Sequence, residues 1–169
     1  LGYGLMSEAC EYDLPYVAEH CDVFYIGGTK VGAMFGEAVV FSGMKAPKYF
    51  FTNVKRHGAL LAKGRMLGIQ FDTLFTDGLY FKISKHAIDM AAAIRKIFAK
   101  HNIPLAYDSP TNQQFVILSP ALYQALSKLV AFEIWEKKNE QEIVCRFVTS
   151  WATKEEELEE LDKALEKIS

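Results

Sequence analysis

A single lysine lies in a glycine-rich turn between two apolar segments, in the sequence YIGGTKVGAMFGEAVVF at positions 25–41. The turn places the amine of Lys30 beside the hydroxyl of Thr29, directly after two glycines. Burial at the end of a strand lowers the pKa of a lysine, and a neutral amine attacks an aldehyde carbon. The amine and hydroxyl together suit pyridoxal phosphate (PLP), an aldehyde that carries a phosphate. On this pattern alone, a surface lysine in a turn is the commoner interpretation.

A second cation, Arg146, lies in the apolar segment 142–149, on the strand face that Val144 and Val148 share. A buried guanidinium needs a partner, because an isolated charge is costly to remove from water. The pattern alone therefore supports a structural salt bridge at least as well as a binding role.

The other polar residues give weaker signals. We assign Asn112 to a turn, His57 to helix packing or the surface, and Arg56 and Arg65 to structural or interfacial contacts. The three cysteines form no CxxC pair, and no two of the four histidines lie four positions apart. The sequence therefore predicts reduced thiols and no metal site.

Composition excludes several classes of protein. The 169 residues are 50% hydrophobic and 24% charged, with a net charge of −2. A nucleic-acid-binding surface is usually basic, so we expect no nucleic-acid partner. No apolar run approaches the ~18 residues of a transmembrane helix, and the N-terminus has no signal-peptide profile. We therefore expect no membrane partner and a cytoplasmic location.

The elements around Lys30 are two predicted strands, at 22–26 and 37–42. A helix at 13–20 precedes them, and a helix with three glycines at 54–76 follows. The first strand is continuously apolar, as in a sheet that is covered on both faces. The first 45 residues hold too few elements to cover such a sheet, so we expect the chain to begin inside a larger domain.

The rest of the chain has the pattern of a complete small α+β domain. A capping box of Thr153 and Glu156 is expected to start its last helix. The predicted elements before it are a helix at 85–100, strands at 103–107 and 113–118, a helix from Pro120 to about 130, and a hairpin of strands 131–137 and 142–149.

The segment DVFYIGGTKVGAMFGEAVVF closely resembles the lysine segment of the threonine aldolase / β-eliminating lyase family. Three later segments resemble that family in the same order: KRHGALLAKGRMLGIQF, SPTNQQFVIL and IVCRFVTSW. The chain is thus similar to the C-terminal half of such a protein. The implied fold class is α/β, of the PLP-dependent transferase-like type (fold type I, the aspartate aminotransferase-like superfamily). Residues 1–79 would be the end of the large PLP-binding domain with connecting helices, and 80–169 the small α+β C-terminal domain.

The resemblance also implies roles for individual residues. Lys30 would hold PLP covalently, with Thr29 beside the cofactor. Lys55 falls where the family carries a basic residue that reaches the cofactor phosphate across a subunit boundary, and Lys48 falls near another family lysine. Arg146 would bind the α-carboxylate of the substrate, since its planar fork recognises a carboxylate at two points.

The implied activity is that of a PLP-dependent carbon–carbon lyase, which cleaves L-threonine-like β-hydroxy-α-amino acids to glycine and an aldehyde. The implied assembly is a homodimer or homotetramer. Family members carry further cofactor-binding and catalytic residues in an N-terminal half that this sequence lacks, so we expect little activity from the chain alone. Another PLP-dependent β-eliminating lyase, an aminotransferase, or a non-enzymatic folded fragment without cofactor remain alternatives.

Overall fold

The computed structural model of the chain describes residues 2–43 and 45–168, which form helices and two small antiparallel sheets. The elements of the first part are α1 (Gly2–Leu5), α2 (Leu14–His20), β1 (Val23–Gly27), β2 (Glu37–Phe41), α3 (Phe50–Arg56) and α4 (Arg65–Phe75). Those of the second part are α5 (Leu79–Lys100), β3 (Gln113–Leu118), α6 (Pro120–Leu126), β4 (Glu133–Lys137), β5 (Ile143–Val148) and α7 (Glu155–Ile168). No helix in these residues is long and apolar enough to cross a membrane.

Strands β1 and β2 pair with each other in antiparallel register, from Val23 opposite Phe41 to the end where Lys30 follows. Both strands lie within one residue of their predicted bounds. One face is packed, with Ile26 buried, while Tyr25 and Val39 on the other face are 67% and 50% exposed. The described residues therefore do not provide the cover that the apolar pattern of β1 predicts.

The prediction of one continuous helix over 54–76 is wrong. The segment is divided between α3 and α4, with a connection that contains Gly58 at φ +71° and Lys63 at φ +60°. Backbone in the left-handed region ends a right-handed helix, and glycine enters that region without a steric penalty. Helix α5, in turn, begins earlier than predicted.

The three-stranded sheet has the order β3–β5–β4, and all three strands match predicted segments. The strand predicted at 103–107 is wrong, because only Leu105 makes a bridge, to Val116. Pro104 has no N–H to donate to a ladder, which favours this short contact over a strand. Helix α6 has the predicted cap, with the Ser119 side chain accepting from Leu122 N–H, but it ends at Leu126.

At the start of α7, half of a capping box is present, one residue later than predicted. The backbone N–H of Lys154 donates to the Glu157 carboxylate over 3.0 Å, while the Thr153 hydroxyl accepts from the Ser150 N–H over 2.9 Å. The predicted pair of Thr153 and Glu156 is therefore not formed, although the helix begins where acidic residues are concentrated.

Buried hydrophobic residues form two clusters that share helix α5. The Lys30 cluster consists of Ile26, Val31, Ala33, Leu74 and Tyr80. The C-terminal core consists of Met90, Ile94, Phe98, Ile103, Val116, Leu118, Leu126, Ile143, Cys145, Phe147, Leu158, Leu161, Ala164 and Leu165. The division into domains at 79/80 stays a prediction; it coincides with the start of α5, whose first turns belong to the Lys30 cluster.

Candidate functional site

Lys30 lies in a single turn of 3₁₀ helix, Thr29–Val31, which directly follows β1. The carbonyl of Gly28 accepts hydrogen bonds from the N–H groups of Val31 and Ala33, over 2.9 and 3.0 Å. Val31 is buried in the Lys30 cluster, whereas the side chain of Lys30 is exposed. The turn therefore buries one neighbour of Lys30 and presents the lysine itself at the surface.

The return from this turn into β2 requires a glycine. Gly36 has φ +96°, in the left-handed region, and a Cβ atom there would lie 2.1 Å from Cδ2 of Leu67 on α4. Only glycine meets both conditions without strain or displacement of a neighbour. Beside it, the Met34 N–H donates to the side-chain oxygen of Gln70 over 2.7 Å, so α4 holds the turn at two points.

Tyr3 connects the Lys30 turn to the end of the three-stranded sheet. Its hydroxyl donates to the backbone carbonyl of Lys30 and accepts from the N–H of Trp151 over 3.1 Å. Trp151 follows β5, the strand that carries Arg146. A tyrosine hydroxyl is protonated at neutral pH and can donate in this bond, and burial raises the pKa of Tyr3 further above its ordinary value.

Tyr80, at the start of α5, connects the end of β1 to α1. Its hydroxyl donates to the carbonyl of Gly27 over 2.9 Å and accepts from the N–H of Gly2 over 3.2 Å. The residue is 1% exposed, and burial is the main cause that raises its pKa. Two tyrosine hydroxyls thus fix the backbone on both sides of the predicted cofactor-binding lysine.

The side chains of Lys30 and Thr29 are both exposed, and neither makes a hydrogen bond or ion pair with a residue that the structure describes. The described residues therefore do not bury the Lys30 amine as the sequence analysis predicted. The donor set nevertheless fits PLP. An unpaired amine is the group that joins its aldehyde carbon, and a free hydroxyl beside it is a donor for its phosphate.

Arg146 is on the central strand β5, with Val144 and Val148 on the same face, as predicted, and opposite the face that builds the C-terminal core. Its Nη2 donates to the carboxylate of Glu133, directly across on β4, and its Nη1 donates to Oε1 of Gln113 on β3 over 3.1 Å. Its Nε is buried and has no hydrogen-bond partner among the described residues. The salt bridge anticipated as one interpretation is thus present, yet the buried Nε–H of the guanidinium is left without an acceptor among the described residues.

An aromatic surface supports the guanidinium of Arg146. Its central carbon lies 5.3 Å from the centroid of the Trp135 ring, which packs edge-to-face on Phe115 with centroids 5.2 Å apart. The β4–β5 ladder shifts register between Ile134 and Glu136, so Trp135 lies at a bulge. The bulge brings Glu133 directly opposite Arg146.

The remaining predicted cofactor contacts are not gathered at Lys30. Lys55 is exposed on α3, and the first residue of that helix, Phe50, packs on Phe41 with centroids 5.0 Å apart. Phe41 pairs with Val23, at the end of the hairpin opposite to Lys30. Lys48 places its ammonium 5.3 Å from the ring centroid of Tyr49. The role of Lys55 stays a prediction, and contacts within the described chain do not bring it to Lys30.

Asn112 contacts the backbone of the segment that follows β5. Its side-chain amide donates to the carbonyl of Thr149 over 2.7 Å, and its own carbonyl accepts from the Thr149 N–H over 3.0 Å. His57 lies exposed just after α3, as the surface interpretation predicts. The sequence analysis missed Tyr3 and Glu133. For Glu133, the signal was opposite charges in two strands of a predicted hairpin.

A separate group of charged side chains joins α5 to α7. His101 Nε2 and Lys100 Nζ each lie 2.7 Å from a carboxylate oxygen of Asp162, and Lys100 also lies 2.9 Å from Glu166. The cation that these carboxylates hold is therefore the lysine ammonium, and the group has the character of a salt-bridge network.

Comparison with known proteins gives a consistent result, although no protein-family model matches the chain. The chain is 30% identical over 142 residues to a low specificity L-threonine aldolase of Pseudomonas sp. (strain NCIMB 10558). The aligned residues cover 83% of this chain and 40% of that protein. A solved structure of Leishmania major threonine aldolase matches with a TM-score of 0.88 at 35% identity, over 96% of this chain and 48% of that one.

A more distant structure shows the same fold. A serine palmitoyltransferase from Sphingomonas wittichii matches with a TM-score of 0.63 at 15% identity, over 99% of this chain and 45% of that one. The predicted fold class, PLP-dependent fold type I, is thereby confirmed. The chain spans between 40% and 48% of the length of these relatives.

Proposed function

Because this chain belongs to the threonine aldolase family, whose members depend on PLP, we propose that it forms part of the active site of a PLP-dependent carbon–carbon lyase. The proposed reaction is cleavage of L-threonine-like β-hydroxy-α-amino acids to glycine and an aldehyde. The observation that carries the proposal is the turn at Lys30, where an unpaired amine and the Thr29 hydroxyl are exposed on a backbone that other elements hold in place.

In this proposal, Lys30 holds PLP through its amine and Thr29 donates a hydrogen bond to the cofactor phosphate. When bound, PLP supplies an electron sink for the bond that breaks at the substrate α-carbon. The chain contributes orientation. Tyr3 fixes the carbonyl of Lys30, and Tyr80 fixes that of Gly27, so the main chain on either side of the amine is held before any ligand arrives.

Arg146 binds the substrate α-carboxylate in the same proposal. A guanidinium that lies against an aromatic ring and donates through Nη1 to Gln113 is held in orientation, and its Nη2 is paired with a carboxylate, that of Glu133, which is largely exposed. The Tyr3 hydroxyl supports a common location for the two functional residues. It bonds both to the Lys30 turn and to the segment that follows β5.

We also propose that Lys55 reaches the phosphate from another subunit of a homodimer or homotetramer. The supporting observation is its position on α3, which packs at the end of the hairpin opposite to Lys30. In a symmetric assembly, a residue that lies away from the site of its own chain can reach the site of a neighbouring subunit.

Covalent trapping tests the Lys30 proposal without depending on activity. The purified chain is mixed with PLP, reduced with borohydride, and mapped by peptide mass spectrometry. We expect Lys30 to carry the reduced cofactor at lower PLP concentrations than other exposed lysines, such as Lys63 and Lys82. The Lys30→Ala variant should lose that label alone. Equal labelling of all three lysines would contradict a dedicated cofactor site.

A further inference from the structure

The guanidinium of Arg146 is only partly satisfied by the chain. Its Nη2 is held by Glu133 and its Nη1 by Gln113, whereas Nε is buried without a partner among the described residues. A buried donor without an acceptor is unfavourable. Nε and Nη2 point from the same edge of the guanidinium, and one carboxylate can accept from both in parallel. Glu133 accepts only from Nη2.

We propose that Glu133 is a displaceable internal carboxylate, which occupies Arg146 in the absence of substrate and sets the affinity of Arg146 for an incoming carboxylate. This inference rests on the proposed role of Arg146 as the carboxylate-binding residue. The incoming group takes the place of Glu133 on Nη2 and gains Nε as a second donor. Glu133 thereby acts as a competitor whose removal strengthens carboxylate binding.

The two partners differ in how firmly they are held. The side chain of Glu133 is 68% exposed, and β4, on which it lies, is an edge strand whose residues are all exposed. Its one polar contact among the described residues is with Arg146. The side chain of Arg146 is 26% exposed and also contacts Trp135 and Gln113. Glu133 can therefore swing into solvent while Arg146 keeps its position.

The size of the effect follows from the exposure of the ion pair. An ion pair with one strongly exposed partner is weak, so its loss corresponds to about a two- to five-fold change in an equilibrium constant. Replacing Glu133 by glutamine also removes a negative charge that repels an approaching carboxylate. We expect the variant to bind a simple carboxylate about two- to five-fold more tightly at Arg146.

Arginine modification measures both parts of this inference in the full chain. An arginine-specific dicarbonyl reagent is applied to the wild type and to Glu133→Gln, modified sites are mapped by mass spectrometry, and acetate is titrated as the protecting carboxylate. We expect Glu133→Gln to speed modification of Arg146 and to lower the acetate concentration for half-protection by about two- to five-fold. Arg95, which pairs with Asp108 over 2.7 Å, is the internal reference.

Asp108→Asn is the matched control, because it removes the exposed partner of the other arginine. It should speed modification of Arg95 and leave Arg146 and its acetate protection unchanged. Circular dichroism confirms that each variant is folded, and Glu133→Ala serves as a second variant.

Two results overturn the inference in distinguishable ways. If acetate protects Arg146 equally in the wild type and in both Glu133 variants, Glu133 is not a competitor, although Arg146 still binds carboxylates as proposed. If acetate protects Arg146 in none of these proteins, the carboxylate-binding role fails and the inference with it.

Discussion

The C-terminal core and the Lys30 cluster are stabilised by different means. Fourteen buried hydrophobic residues pack in the former and five in the latter, among the residues that the structure describes. The Lys30 cluster depends instead on directional contacts, which include two tyrosine hydroxyls that bind backbone carbonyls on either side of Lys30. Hydrophobic packing maintains a domain, whereas hydrogen bonds fix the position of a single turn. The proposed chemistry is thus located at the Lys30 turn, whose backbone is positioned by hydrogen bonds.

The two regions also differ in how they meet solvent. Apart from Glu37 at its end, the β1–β2 hairpin is apolar on both faces, and Tyr25 and Val39 on its outer face are largely exposed. In the three-stranded sheet, the face opposite the core carries Arg146 with its polar and aromatic partners. Apolar residues on both faces are typical of a sheet that is covered on both sides. The hairpin therefore has the composition of an interior element.

Truncation of a residue in the C-terminal core should have the largest effect on stability. Phe98 is fully buried and packs edge-to-face on Phe147, with ring centroids 4.9 Å apart. We expect Phe98→Ala to lower the free energy of unfolding in urea by about 3–5 kcal/mol, because it leaves a cavity. The control Met34→Ala, at a residue 84% exposed near Lys30, should change it by less than about 0.5 kcal/mol. Equal effects would remove the distinction between the regions.

A change beside Lys30 should act through backbone strain and a local clash. Gly36→Ala places a Cβ on a residue with φ +96° and against Leu67. We expect the backbone strain to lower the free energy of unfolding by about 1–3 kcal/mol, and the contact with Leu67 to displace the Lys30 turn. Gly58→Ala is the matched control, since Gly58 also has positive φ but open space around it. Hydrogen exchange of the Val31 amide should rise in Gly36→Ala more than in Gly58→Ala. An equal rise would show that the contact with Leu67 does not matter.

The contribution of one hydroxyl can be measured at Tyr80. Tyr80→Phe keeps the ring but leaves the Gly27 carbonyl and the Gly2 N–H without their partner, at an expected cost of about 1–3 kcal/mol. The PLP concentration that half-labels Lys30 in the trapping experiment should rise at the same time. Tyr107→Phe is the control, because the Tyr107 hydroxyl meets Glu136 at the surface. If labelling of Lys30 is unchanged in Tyr80→Phe, the hydroxyl does not position the turn.

The C-terminal elements were largely predictable, because their boundaries depend on local chemistry. Ser119 with Pro120 started α6 as expected, and the segment QQFVIL formed the strand predicted at 113–118. The break between α3 and α4 was missed because three glycines suggest close packing as readily as a turn. The left-handed backbone at Lys63 is set by the connection it completes, and a lysine gives no local signal for it.

The candidate site was predictable in its residue types but not in its contacts. Lys30 and Arg146 stood out by residue type, and the resemblance to the family implied their cofactor and substrate roles, which remain proposals. Tyr3 lies far from Lys30 and Trp151 in sequence, so no local pattern indicates their hydrogen bonds. Glu133 meets Arg146 through a bulge at Trp135, and without that bulge the register of Glu136 with Val144 would place Glu133 opposite Phe147 instead.

The smallest expected effect concerns the salt bridges that join α5 to α7. Hydrogen bonds from Lys100 and then His101 hold the pKa of Asp162 below its ordinary value of 3.8. A carboxyl group whose pKa is lower in the folded chain stabilises that chain at pH values above the ordinary pKa. This stabilisation is lost as the pH falls through the lowered pKa of the folded chain. The free energy of unfolding in urea is measured from neutral pH to about pH 3. It should decrease less steeply with falling pH in Asp162→Asn than in the wild type. Glu159→Gln, on the exposed side of the same helix, is the control and should keep the wild-type dependence of the unfolding free energy on pH. A general effect of helix charge would weaken that dependence in both variants.

Hydrogen exchange in acid locates the loss of stability. If the amides of α7 lose protection before the Val31 amide, the acid-sensitive part is the C-terminal region. Simultaneous loss would show that the two regions unfold as one unit.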